Sequence, residues 1–277
     1  MRQSLNITHN HMDEKLQKFV SDCGLMSRRA AEREIECGYF AINGTKAKLG
    51  DRVNPAKDRV TYKGKPVKPS GGRKVYILLH KPAGVVTTMN DEFGRRTVAE
   101  LVKGLGKRVY PVGRLDKDSE GLLLMTDDGT FANRIAHPSG NIRKVYHVML
   151  AGRVENNQLD SLRAMRKLDD EPIVPVSVDL IERNDNASKV KFVLSEGKNR
   201  QIRRMCEAVG LSVMQLKRVQ LGNLMLGGLE SGAYRHLTDE ERKGLSKLLS
   251  GEKQHGRNDV RATAGSAGTN RKRTGRR

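Results

Sequence analysis

Apolar residues first recur at helical spacing in Leu16, Phe19, Val20 and Cys23, and Gly24 follows as a stop signal. A second helix is predicted in SRRAAEREIECG, with Ser27 as N-cap and Gly38 as terminator. YFAINGTKAKLGD then reads as two short strands turned at Asn43-Gly44, and DRVTYKGKPV as another hairpin around Lys63-Gly64. After KPSGGRK, which has the composition of a linker, the pattern changes. VYILLHKP is a continuous apolar strand, and VYPVGRLD and GLLLMTDD are two more. DGTFANRIAHP is a short helix, KVYHVMLAG alternates like a strand, and NNQLDSLRAM is helical. VPVSVDLI and KVKFVLSEG are strands, NRQIRRMCEAVG an amphipathic helix, SVMQLKRVQLGNLML strand-rich, and TDEERKGLSKLL a closing helix.

Long strands with short helices between them predict an α+β domain over 70–250, built on a large, mostly antiparallel sheet. A compact basic module is predicted over 12–69, a flexible tail over 1–10, and a disordered basic tail over 251–277, which is Gly, Ser, Thr, Lys and Arg and ends RKRTGRR. That last tail either holds RNA non-specifically or raises solubility.

Charge narrows the class of partner. A net charge of +20 over 277 residues attracts polyanions, because each cation near a phosphate releases condensed counterions. Aromatics are only 4% with no Trp, which disfavours a broad base-stacking platform. The expectation is a reader of phosphates that engages one base closely. No apolar run is long enough for a membrane span and the start lacks a signal core, so no membrane partner and a cytoplasmic location are expected. Cys23, Cys37 and Cys206 are far apart and fall in helix-like apolar patterns, which predicts buried thiols rather than disulfides or zinc. His9 and His11 sit in the polar tail, and no metal site is assigned to them.

Three stretches carry candidate chemistry. GRLDKDSEGLLLMTDDG, residues 113–129, places Asp116, Asp118 and Glu120 in a tight turn between apolar runs, with Gly113 and Gly121 at its ends. A carboxylate there can act as nucleophile or base if a cation such as Arg114 keeps it ionised. The residues alone leave Asp116 and Asp118 equal, and loop acids paired with Arg114 or Lys117 account for both as well. In EGKNRQIRRM a helix puts Arg200, Arg203 and Arg204 on one face, with Ile202, Met205, Cys206 and Val209 opposite, a pattern suited to phosphate or carboxylate. In RKVYHVML, Tyr146 either packs in the core or stacks on a base drawn out of RNA. In the basic module Arg29 and Arg33 lie four apart beside Arg28, either as a solvated helix face or as an RNA contact.

Taken in order, GRLDKDSEGLLLMTDDG, KVYHVML, EGKNRQIRRMCEAVG and LKRVQLGNL resemble the motifs of the bacterial RsuA-type ribosomal RNA pseudouridine synthases. LQKFVSDCGLMSRRAAEREIECGYFAINGTKAKLGD is similar to the S4 RNA-binding module of that family, and the resemblance spans about residues 14–249. The wording of the loop leans toward the large-subunit RluB/RluF branch, and the His before Lys81 departs from the commoner Asn. The resemblance implies an S4 domain followed by a pseudouridine synthase catalytic domain, a monomer, and isomerisation of uridine to pseudouridine with no cofactor and no metal.

It makes Asp116 the catalytic carboxylate, acting at C1′ or C2′ of the ribose. Arg203 becomes its ion-pair partner, Tyr146 the ring stacked on uracil and Leu216 the apolar residue beneath. Arg114, Leu115, Lys117, Arg200, Gln201 and Ile202 become RNA contacts, as do Arg28, Arg29 and Arg33. Ribosomal RNA, more specifically 23S RNA, is the implied partner. The alternatives are 16S RNA, tRNA or an assembly intermediate as substrate, a non-catalytic RNA-binding or ribosome-assembly factor, and a DNA-binding regulator, which lacks a recognisable groove-reading module.

Overall fold

In a computed structural model of the chain, residues 13–250 other than Ser70 are described. The tails expected over 1–10 and 251–277, with His9 and His11, lie outside the described residues. None of the described helices is long and apolar enough to cross a membrane.

The strand Tyr76–Lys81 shows why a continuous apolar run is needed. It pairs antiparallel with Glu120–Thr126, and both strands are covered on both faces. Alternation sends Leu78, Leu122 and Leu124 into one apolar cluster and Ile77, Leu79, Leu123 and Met125 into another. These seven side chains are wholly buried, and each stabilises the fold by about 1.5–3 kcal/mol. Ala187–Leu194 has one solvated face instead: Ser188, Val190, Phe192 and Leu194 point inward while Lys189 and Lys191 lie between them.

These strands belong to a nine-stranded sheet among the described residues. Its order runs Ser177–Arg183, Ala187–Leu194, Lys144–Ala151, Val213–Leu221, Glu120–Thr126, Tyr76–Lys81 and Tyr234–His236, with Leu224–Met225 and Tyr110–Pro111 appended. The expected mixed, mostly antiparallel sheet is therefore present. The helices Asn156–Ala164 and Gln201–Ala208 cover one end of it, burying Leu159, Leu162, Ile202, Met205 and Cys206. The closing helix Asp239–Leu249 starts with a reciprocal capping box between Thr238 and Glu241.

The residues before the linker pack around a separate cluster of Leu16, Phe19, Val20, Ala31, Ile35, Phe40, Ala47, Val53 and Val60. Two helices, Leu16–Asp22 and Arg28–Glu36, lie beside a four-stranded sheet. Ser27 caps the second helix, accepting from the Ala30 N–H at 3.1 Å. The Asn43-Gly44 and Lys63-Gly64 turns both have positive φ at their two central residues, as tight hairpins require.

Three expectations need correction. Cys37 is exposed, because it caps the C-terminus of Arg28–Glu36 instead of facing its core; Cys23 is half-buried and Cys206 buried. VYPVGRLD is a strand only at Tyr110–Pro111, after which the chain leaves the sheet as a loop. The edge strand Tyr234–His236, which pairs with Tyr76–Lys81, was not predicted at all.

One junction sets the position of that loop. Val213–Leu221 and Glu120–Thr126 run parallel, with Lys217 opposite Glu120 and Arg218 opposite Gly121. Gly121 has φ +107°, and a Cβ there would lie 2.3 Å from the Arg218 carbonyl oxygen. Gly121→Ala combines a disfavoured backbone with a backbone clash, at a cost of at least about 3 kcal/mol. A fall in thermal midpoint of roughly 6–12 °C is expected by calorimetry; an unchanged midpoint would show that the strands separate without penalty.

Candidate active site

The loop 113–119 leaves the sheet at Gly113, whose φ of +73° turns the chain, and returns at Gly121. Leu115 is buried in the core, 5% exposed. Thr87 Oγ1 donates to its carbonyl at 2.6 Å and accepts from its N–H at 3.3 Å. The Ser119 N–H donates to the Asp116 carbonyl at 3.1 Å. Lys81 Nζ, wholly buried under the loop, donates to the carbonyls of Ser119 at 2.6 Å, Lys117 at 3.3 Å and Pro82 at 2.8 Å. Arg203 Nη2 donates to the Asp118 carbonyl at 3.1 Å. Every carbonyl from Leu115 to Ser119 thus has a donor, so the loop backbone is fixed from both sides.

The three acids of the loop separate by their partners. Asp118 forms an ion pair with Arg200 at 3.3 Å. Glu120 accepts from Gln215 at 3.0 Å and lies 3.5 Å from Lys217. The Asp116 carboxylate has no hydrogen-bond or ion-pair partner among the described residues. It is half-buried and lines a cleft of about 530 Å³ with Arg114, Tyr146, Arg200, Gln201 and Leu216.

The geometry revises several expectations. Arg203 does not pair with Asp116: its guanidinium lies between the carbonyls of Asp118 and Val213, and so supports the loop by its backbone. The three arginines of EGKNRQIRRM do not all share one face: Arg200 and Arg203 both reach Asp118, and the helix begins at Gln201. Arg200 precedes it with a left-handed φ of 47°, and Arg204 turns away to pair with Asp169. Leu115 and Ile202 border the cleft, yet both are buried in apolar clusters. Gln201 is buried and holds the segment before it, bonding the Glu196 carboxylate and the Lys198 N–H. Arg114 and Lys117 are exposed on the loop.

The sequence reading missed Lys81, Thr87, Lys144 and Arg218. A signal was available for two of them: Lys81 ends an apolar run, and Arg218 stands two residues from Leu216, on the buried parity of its strand. Burial pushes the Lys81 ammonium down to about 8, against the opposing pull of Asp116, Asp118 and Glu120.

A solved pseudouridylate synthase superposes with a TM-score of 0.59 at 30% identity, over 83% of this chain and 99% of that one. The RNA pseudouridylate synthase family model matches residues 75–208. An uncharacterized RNA pseudouridine synthase of Aquifex aeolicus is 38% identical over 86% of this chain and 96% of its own length. Ribosomal large subunit pseudouridine synthase B of Bacillus subtilis is 38% identical over 88% and 99%. The dual-specificity RNA pseudouridine synthase RluF of Escherichia coli K12 is 34% identical over 93% and 87%. The chain belongs to the RNA pseudouridine synthase family, and is an isomerase.

The Lys81 pKa falls from 10.5 to about 8 on folding, so between those pH values the unfolded chain binds more protons than the folded one. Stability from this group therefore rises with pH across that window. Lys81→Met removes the term and takes the donor from the Pro82 and Ser119 carbonyls, while the Lys117 carbonyl keeps the Gly84 N–H at 2.7 Å, and this lowers activity. In melting curves from pH 8 to 10.5 the wild type should gain on the variant; parallel curves would show that Lys81 does not titrate there.

Proposed function

We propose that this enzyme isomerises a uridine of ribosomal RNA, in the large subunit, to pseudouridine, with Asp116 as the catalytic carboxylate. The observation that carries this reading is the isolation of Asp116: it alone of the three loop acids is uncommitted, on a rigid backbone, in the cleft shared by Tyr146 and Leu216. The name of the Bacillus subtilis relative, a ribosomal large subunit pseudouridine synthase, supports ribosomal RNA and the large subunit, and that of the Escherichia coli relative supports RNA as the substrate.

The reaction breaks the bond between ribose C1′ and uracil N1, turns the ring, and joins C1′ to C5. C5 loses a proton and N1 gains one, so no atom is added and no oxidant is needed. Asp116 acts at the ribose, by attack on C1′ or by taking a proton from C2′. Tyr146 stacks on the flipped uracil and Leu216 packs beneath it, each favouring the unstacked base, which costs a few kcal/mol to extrude. Arg114, Lys117, Arg200 and Gln201 hold the nucleotide and its phosphates. Arg203 acts as a positioning residue through the Asp118 carbonyl.

The module before the linker serves as an S4 RNA-binding domain. Arg28, Arg29 and Arg33 are exposed on one helix, and none is in an ion pair among the described residues. Those cations are available to phosphates.

Asp116→Ala should abolish pseudouridine formation in ribosomal RNA while RNA affinity stays within a few-fold; full activity in that variant would sink the assignment. Replacing Arg28, Arg29 and Arg33 together by Ala should weaken RNA binding and lower the slope of log K against log salt by roughly 2, at about 0.7 per single-strand phosphate contact. An unchanged slope would return the three arginines to a solvated face.

A further inference from the structure

Strand alternation brings two cations into the cleft beside the aromatic ring. Lys144 and Tyr146 stand two apart on Lys144–Ala151, and Leu216 and Arg218 two apart on Val213–Leu221, with Tyr146 opposite Arg218 in the pairing. All four line the cleft. Arg218 is only 3% exposed. Its Nε donates to the Leu122 carbonyl at 2.7 Å, while its Nη2 is buried with no partner. Lys144 Nζ donates to the carbonyls of Ile142 at 3.1 Å and Ser195 at 3.0 Å, which leaves one of its three hydrogens uncommitted.

The acids along the same wall do not consume these donors. Glu196 accepts from the Val174 N–H and from Gln201, and Asp116 is unpaired. A buried guanidinium with an open N–H is a costly arrangement unless an acceptor arrives. Arg114, Lys117 and Arg200 are exposed and suit phosphates. Arg218 is buried, opposite Tyr146 in the strand pairing.

We infer that Lys144 and Arg218 form an anion subsite for the uracil itself, stabilising the charge that the ring carries after it leaves C1′. The inference rests on the reading of this cleft as the uridine-isomerising site. When the C1′–N1 bond breaks, its electron pair stays with N1 and spreads onto O2 and O4. Either route open to Asp116 expels this anion. Two fixed donors in a partly enclosed site stabilise it without reorganising as the charge appears. They hold the detached ring while it turns, until C5 bonds to C1′, C5 gives up its proton and N1 takes one. Burial and the neighbouring Arg218 charge hold Lys144 down to about 8, so it remains largely cationic at neutral pH.

A change of leaving group tests this. Fluorine at C5 acidifies uracil and makes its anion easier to expel. Single-turnover consumption of the target nucleotide is compared on ribosomal RNA carrying uridine or 5-fluorouridine there, for wild type, Arg218→Lys and Lys144→Gln. Each variant should be slower on uridine by on the order of 100-fold, with RNA affinity within a few-fold and a deficit several-fold smaller on 5-fluorouridine.

Equal deficits on both RNAs would overturn the inference and make the pair a support for the loop. A loss confined to affinity would overturn it too, making the pair a phosphate contact. Should Arg218→Lys not fold, as judged by circular dichroism, Lys144→Gln carries the same comparison. A wild type that forms no pseudouridine, or an active Asp116→Ala, sinks the functional reading instead; equal deficits in an active enzyme sink only the subsite.

Discussion

The site depends on the parallel seam where Gly121 lies against the backbone of Arg218. Neighbouring pairs in the sheet are antiparallel, and their connections can be short. Here two strands nearly a hundred residues apart are brought side by side, and no side chain fits between their backbones at Gly121. The seam fixes the end of the acidic loop to the strand that carries Leu216 and Arg218. Since that strand also pairs with Lys144–Ala151, one constraint sets Asp116, Tyr146, Leu216 and Arg218 in mutual register.

The loop then meets a polar problem. It enters an internal strand of the sheet with five consecutive carbonyls, and leaving a buried one bare would cost about 1–3 kcal/mol. Lys81, Thr87, Arg203 and the loop's own Ser119 N–H take all five. Committing Lys81 and Arg203 to carbonyls has a further effect. Neither cation is paired with the Asp116 carboxylate, while Asp118 and Glu120 have cations of their own. Rigidity of the backbone and freedom of the one acid arise from the same set of contacts.

Much of this was legible in the sequence. The strands 76–81 and 120–126 showed as apolar runs because burial on both faces removes polar positions. Asn43-Gly44 and Lys63-Gly64 marked their hairpins because positive φ is written in residue type. The cleft residues Asp116, Tyr146 and Leu216 came from ordered motifs, with residue chemistry alone leaving Asp116 and Asp118 tied. What failed were statements about long-range partners. Helical periodicity put three arginines on one face, but the left-handed backbone at Arg200 starts the helix one residue later; Arg200 and Arg203 meet at Asp118, on its carboxylate and its carbonyl, while Arg204 goes to Asp169. Lys81 and Arg218 were given no role, because the contacts that engage a buried cation in a strand come from other strands and loops and leave no local signal in the sequence. Parity against Leu216 places Arg218 inside, and only sheet register shows what it meets there.

The cations divide into two populations by burial, and on the proposed reading that division lets so basic a chain treat one nucleotide differently from the rest of a polyanion. Exposed arginines and lysines act through screened, salt-sensitive attraction that any phosphate satisfies. Arg218 and Lys81 are removed from that competition because the sheet and the loop cover them. Lys81 is saturated by carbonyls, so its charge is spent on structure. Arg218 keeps one donor open in the cleft it shares with Tyr146 and Leu216. Under the proposed subsite, selectivity for the base over the backbone follows from where the cations are buried rather than from how many there are, because a buried donor is shielded from the many phosphates that the exposed cations attract.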